Sequence, residues 1–241
     1  TAYASNGITG LGNEAITLND TNVSVTDLNT LDSYTSGLIN ASSITDITGP
    51  ISALTAAYSS QGINNLGTNI VVTDTTTSTS EINLLDNLSS GLINAATVNT
   101  LTGSSASVYT LYESAVTTGS DGILNLGNEV IILSDSVIDA SSLTSIASSS
   151  SGNIHVSEVV KIQGTTSSIN ALYDTHTHIQ SLGNESITIT DNVGSGSNLF
   201  TLDGNTTGII DAASLYKIEG LLNDLNNIYS STQFTGLSNE D

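Results

Sequence analysis

Apolar residues recur along this chain in short, fixed phrases. Ile16 and Leu18 alternate with polar neighbours, as do Ile70 and Val72, Ile131 and Leu133, and Ile187 and Ile189. A period of two over so short a stretch predicts a half-buried β-strand. An Asp closes each of these strands: Asp20, Asp74, Asp135 and Asp191. Beyond each Asp, at a constant offset, stands Thr26, Ser80, Ser141 or Ser197, followed by apolar pairs three apart (Leu28 and Leu31, Ile82 and Leu85, Leu143 and Ile146, Leu199 and Leu202). A hydroxyl ahead of such a pair predicts the start of a short helix, because its oxygen accepts from an otherwise orphaned N–H. A second strand is expected after a glycine, at residues 37–41, 91–95, 152–156 and 208–212. Two further pairs at helical spacing follow in each copy, Ile44/Ile47 and Leu54/Ala57 in the first. Between them lies a second glycine, Gly49, Gly103, Gly164 or Gly220, suited to a helix C-cap of positive φ. The predicted unit is two short strands and about three helical turns.

These phrases are copies of one another. Tyr3, Tyr58, Tyr112, Tyr173 and Tyr229 recur at a nearly even interval, each followed by a Leu-Gly or its variant (Leu11-Gly12, Leu66-Gly67, Leu126-Gly127, Leu182-Gly183, Leu237-Ser238). The spacing from the closing Asp to the next Gly, from that Gly to the second, and from the second to the Tyr is identical in all four copies. Length varies only between the Tyr and the Asp, chiefly around Thr117 to Gly122 in the third copy. Rigid spacing marks packed structure and variable spacing a loop. The repeats run over approximately 3–57, 58–111, 112–172 and 173–228, with a partial copy at 229–241.

One such unit buries too little apolar surface to offset the entropy of ordering it, so copies must stack. The expected fold is a single repeat solenoid over residues 1–241, of parallel β-strands and short helical turns. Its coil is either about 55 residues, as in a two-sheeted β-helix, or half that, as in a leucine-rich repeat. In such a stack each strand is expected to pair with its equivalent in the next copy, setting the recurring Tyr, Asp and Asn in ladders. His155 and Asp211 interrupt the Asn series begun by Asn40 and Asn94.

The phrases Gly7-Ile8-Thr9-Gly10-Leu11-Gly12-Asn13-Glu14, Leu28-Asn29-Thr30-Leu31-Asp32, Leu202-Asp203-Gly204-Asn205-Thr206-Thr207-Gly208 and Leu101-Thr102-Gly103 resemble the tandem repeats of very large secreted surface proteins of marine bacteria, especially cyanobacteria. The likeness spans the chain and is one of repeat style. It implies an extracellular structural role with no chemistry attached. The third copy departs from it at Ile146-Ala147, where the others carry a Leu followed by Asp.

Composition narrows the partners. Two basic residues, Lys161 and Lys217, stand against 23 acidic ones, a formal charge of −21. Neither a nucleic-acid footprint nor a polybasic membrane patch can be built from them. Leu, Ile, Val and Phe supply 66 of 241 residues, enough for a core and above the ~20% at which disorder is expected. No apolar run approaches a membrane span, and no leader pattern is legible. Absence of cysteine excludes disulfides and thiolate metal sites.

The recurring carboxylates Asp20, Asp74, Asp135, Asp191, Glu14, Glu129 and Glu185 are the candidate metal ligands, with Glu240 offset in the partial copy. Hard oxygen donors of this kind suit Ca²⁺; the competing reading is that each Asp closes its strand in an Asx-turn. The tyrosines are read as sealing the last helical turn with the ring packed and the hydroxyl wet, or as a carbohydrate-stacking stripe. His176 and His178 form a weak metal pair, and His155 reads as structural. No Gly-x-Ser-x-Gly elbow and no carboxylate pair confined to one copy offers catalysis, so the chain reads as no enzyme. The expected function is a secreted, cell-surface scaffold, a fibre, stalk or surface layer, whose uncapped ends stack head to tail on copies of itself. An adhesin module taking glycan or Ca²⁺ on its loop face is the alternative.

Overall fold

The structure is a computed structural model and describes residues 2–3, 7–67, 69–116, 121–175 and 177–237. Residues 117–120 of the third-copy insertion, His176, Ser238 and Glu240 lie outside it. Among the described residues, parallel-strand sheets alternate with eight short helices: α1 (Val25–Asp32), α2 (Ile51–Ser59), α3 (Thr79–Leu88), α4 (Ser105–Glu113), α5 (Ala140–Ser149), α6 (Thr166–Thr175), α7 (Gly196–Asn205) and α8 (Leu222–Ser230). The chain divides into two compact units, 1–101 with 110–126, and 102–109 with 127–241.

In the first unit a three-stranded sheet stacks Ile16–Thr17, Ile39–Asn40 and Ile63–Asn64, with Ile16 opposite Ile39 and Ile39 opposite Ile63. A second sheet runs through Asn22–Ser24, Asp46–Gly49, Asn69–Val72, Leu92–Asn94, Gly122–Leu124 and Ala115–Val116, aligning Val23, Ile47, Ile70, Ile93 and Ile123. In the second unit, Val130–Leu133, Ile154–His155 and Ile179–Gln180 align Ile131, Ile154 and Ile179. A five-stranded sheet there aligns Ile138, Ile162, Ile187, Ile210 and Phe234, and a two-stranded one pairs Val193–Ser195 with Lys217–Glu219. Nearly every interior position in these series is a buried isoleucine. A β-branched side chain packs well on a pleated surface, and parallel pairing sets like directly over like. Helices close the other side: α1 packs on α2 and α2 on α3, and α5 through α8 follow one another likewise.

Three expectations are corrected. Strands do not pair with their equivalents in the next copy. The partner lies about half a repeat away along the chain, Ile39 for Ile16 and Ile63 for Ile39. The Tyr and Asp ladders at full-repeat spacing therefore do not form. Second, the pairs Ile44/Ile47, Val98/Leu101, Val159/Ile162 and Leu215/Ile218 are not helical turns; their second members lie in strands Asp46–Gly49, Thr100–Gly103, Lys161–Gly164 and Lys217–Glu219. A spacing of three also fits a turn running into a strand, and burial against the neighbouring strand decides. Third, the helices after the closing Asp begin before Thr26, Ser80, Ser141 and Ser197, with N-caps at Ser24, Ser78, Asp139 and Ser195. Of these four, Ser78 alone forms a full capping box, with Glu81.

The glycines serve close approach more than capping. Gly49 ends a strand, not a helix, and a Cβ there would lie 2.3 Å from Val25 Cγ1. Gly37, Gly152 and Gly208 each run against the carbonyl of the Glu that follows the Leu-Gly of the same copy, leaving no room for a side chain. A Cβ would sit 2.1, 1.9 and 2.0 Å from the oxygens of Glu14, Glu129 and Glu185. Gly204, near the end of α7, has nothing within 4 Å of its notional Cβ. Gly208→Ala is therefore expected to lower stability by more than about 2 kcal/mol, since backbone must shift. Gly204→Ala, in the same stretch of chain, should be neutral or stabilising by up to about 1 kcal/mol. Urea midpoints at unchanged m-value check the contrast.

Candidate functional site

The recurring carboxylates fall into two structural roles. Asp74 reaches back across the sheet to the start of α2, where its Oδ2 accepts from the Ile51 N–H at 2.8 Å. Asp135 does the same at α4, accepting from the Ser105 N–H at 2.7 Å and the Ser105 hydroxyl at 3.0 Å. Asp191 accepts from the Thr166 N–H at 2.6 Å, and from its hydroxyl, at the start of α6. Each supplies a negative charge and an acceptor to a helix N-terminus whose first N–H groups are otherwise orphaned. The Asx-turn expected at these positions is thus replaced by a cap delivered from 23 to 30 residues further along the chain. Asp20 is exposed and accepts from no helix N–H among the described residues.

The glutamates serve a second contact. Glu14 accepts from the Gly12 N–H at 2.7 Å and the Tyr3 hydroxyl at 3.1 Å. Glu185 repeats this with Gly183 at 2.9 Å and Tyr173 at 3.1 Å, and Glu129 accepts from Gly127 at 3.0 Å. The Gly12 N–H, the largest influence, holds the Glu14 carboxyl below its ordinary range. In the second copy Asn69 replaces the Glu, and the Tyr58 hydroxyl donates instead to the Gly67 carbonyl at 2.6 Å. So the hydroxyls of Tyr3, Tyr58 and Tyr173 are hydrogen-bonded within the protein rather than left to water. Burial pushes Tyr58 up to about 12. Tyr173 is raised as well, by burial first and then by the negative charge of Glu185. Tyr3 also stacks flat on Tyr34, ring centres 6.0 Å apart.

Hydroxyls staple one strand connection to the next, a role sequence reading missed. Thr35 donates to the Glu14 carbonyl at 3.0 Å and accepts from the Gly37 N–H, and Thr206 does the same between Glu185 and Gly208. Their neighbours Ser36, Ser151 and Thr207 donate to the carbonyls of Gly12, Gly127 and Gly183. The signal was present as a recurring hydroxyl-hydroxyl-glycine triplet. In the second copy Ser89 takes the place of Thr35 and its buried hydroxyl has no partner. Asn40 and Asn94 accept from the side chains of Asn65 and Asn125, which sit at positive φ one strand over, so the asparagines pair in twos.

The seven predicted metal ligands are not brought together. Among the described residues no three of His, Asp and Glu stand close enough to hold a metal ion. Glu185 Oε1 is buried and unpartnered beside an open cleft lined by Val156, Ser157, Ser181 and Asn184. It is a single carboxylate oxygen, where Ca²⁺ takes about six to eight oxygen ligands. His178 Nε2 lies 3.2 Å from the Ala147 carbonyl, and His155 sits half-buried in its strand. No helix is long and apolar enough to cross a membrane among the described residues. No protein-family model matches the chain, and neither does any curated protein or solved structure.

Two outcomes test these roles. Asp191→Ala is expected to cost about 1–2 kcal/mol, the value of a helix cap, read from the urea midpoint, with little effect of the same change at Asp20. Tyr58 has a folded value raised above the ordinary 10, so its share of stability is complete below pH 10 and is lost as pH rises toward about 12. Absorbance titration at alkaline pH should show Tyr58 ionising late, and Tyr58→Phe should reduce the slope of stability against pH over that interval.

Proposed function

We propose that this chain is a non-enzymatic structural repeat protein of an extracellular surface, a solenoid whose tandem copies build a fibre, stalk or surface layer. The observation that carries the reading is the employment of its polar side chains. Asp74, Asp135, Asp191, Glu14, Glu129, Glu185, Thr35, Thr206 and the tyrosines are spent on contacts between successive strands and helices, and these contacts recur from copy to copy. A catalytic centre needs groups in one copy that the others lack, in a distinct environment. Here the groups with the strongest chemistry are the most repeated ones.

Composition supports the same reading. A surface made of Ser, Thr, Asn and Gly with only two basic residues gives little hold to polyanions, and a fold without cysteine is indifferent to an oxidising medium. The resemblance to secreted repeat proteins points in the same direction. Antibody against the chain should label intact cells that make it, and brief external protease should remove the label. An antigen reached only after the cells are broken overturns the extracellular assignment.

A further inference from the structure

One of the recurring glutamates leaves an oxygen unused. Glu129 and Glu185 are both 1% exposed. At Glu129 the Gly127 N–H reaches both carboxylate oxygens, at 3.2 and 3.0 Å. At Glu185 the Gly183 N–H and the Tyr173 hydroxyl both go to Oε2, and Oε1 receives no donor. Among the described residues neither lysine pairs with it. A buried carboxylate oxygen without a donor costs free energy that a ligand bringing one recovers.

The corner of the chain at this glutamate is also open. In the second copy Gly67 sits against the Ile44 carbonyl, where a Cβ would lie 2.0 Å from the oxygen. The link from Leu66-Gly67 to Ile70 is one residue shorter than the link from Leu182-Gly183 to Ile187. In the longer link Gly183 stands clear of Val159, the counterpart of Ile44. Only the Asn205 carbonyl oxygen comes within 4 Å of its notional Cβ, at 3.7 Å. A cleft of about 430 Å³ lies here, with Val159, Val160 and Leu182 among its apolar walls and Ser181, Asn184 and Glu185 among its polar ones. Val160 is 63% exposed, so the cleft can be reached from solvent.

We propose that this cleft binds a primary amine carried on an alkyl stem, either a lysine side chain of a partner or a free alkylamine. The ammonium group brings charge and N–H donors to Glu185 Oε1, a hydrogen bond roughly twice as strong as a neutral one. Ser181 and Asn184 offer further acceptors, and the apolar walls cover the methylenes of the stem. The lining disfavours other occupants. A sugar brings no charge to offset the carboxylate, and no aromatic ring lines the cleft for it to stack on. A divalent cation meets one carboxylate among largely apolar walls, short of the oxygen shell it needs. The charge of −21 draws cations to the whole surface, and this cleft selects among them. The site does not rest on the structural role proposed above, and either can fail without the other.

Titration of the isotope-labelled 241-residue chain with n-butylammonium chloride, followed by amide resonances in NMR, tests it. Saturable shifts confined to the neighbourhood of Val160, Ser181 and Asn184 are expected, with n-butanol binding about tenfold or more weaker. The peptide acetyl-Gly-Lys-Gly-amide against its lysine-acetylated form distinguishes a partner's lysine from a free amine. Glu185→Gln should weaken binding by about tenfold or more. Because Glu185 also bonds Gly183 and Tyr173, a second variant keeps the carboxylate: Val160→Phe fills the mouth from an exposed position. It should abolish binding and leave the melting temperature within about 2 °C. No saturable shift, butanol as tight as butylammonium, undiminished binding in Val160→Phe, or the same shifts from CaCl2 at equal concentration overturns the amine site.

Discussion

Parallel pairing of isoleucines about half a repeat apart is the constraint on which the rest of the structure depends. Strands as short as these cannot hold a register by backbone hydrogen bonds alone. Ile39, Ile70, Ile93, Ile131, Ile154, Ile162 and Ile210 hold it by stacking, each buried against its neighbours in the series. A slip of one position would turn the buried isoleucine outward and a polar neighbour inward. That penalty, repeated along every sheet, makes short strands sufficient.

The step between paired strands and the sequence repeat do not divide evenly, and this organises the sheets. Two steps, from Ile16 to Ile39 and on to Ile63, fall short of a full copy, and Ile70, the equivalent of Ile16, follows only after a further short stretch. That stretch carries the chain from one sheet to its neighbour, so Ile63 and Ile70 lie in different sheets. Each copy therefore shares its strands between sheets, and a contact from Asp to helix N-terminus spans from one copy back to the previous one. Asp191 in the fourth copy caps α6, which belongs to the third.

The same geometry explains an acidic chain with almost no cations. Acidic side chains that accept from N–H groups, helix starts and hydroxyls need no Lys or Arg to satisfy them. Lys217 and Glu219 form an exposed ion pair, which contributes little. Serine and threonine are abundant because they are short enough to bond backbone carbonyls across adjacent strand connections, as Ser36 and Thr207 do. Where the pattern lapses the structure adapts, as with Tyr58 turning to the Gly67 carbonyl when no Glu is present.

By itself the sequence determined the copies, their rigidly spaced core, the strand before each closing Asp and the strand after the first Gly, the helix around Leu54, Val108, Ile169 or Leu225, and the residues of the core; the strand between those two, Asn22–Ser24 in the first copy, it did not show. These were legible because apolar periodicity is local and was repeated in every copy. It did not separate a helical turn from a strand at Ile44 and Ile47, since a spacing of three fits both when the run is short. Nor did it show where Asp74 or Glu14 would spend its charge. Strand partners, the cap from Asp191 to α6 and the glycine seated on the Glu185 carbonyl all join positions about half a repeat apart. Only the tertiary structure decided them, because the step between stacked isoleucines is set by the distance around the packed core, which no single copy of the repeat displays.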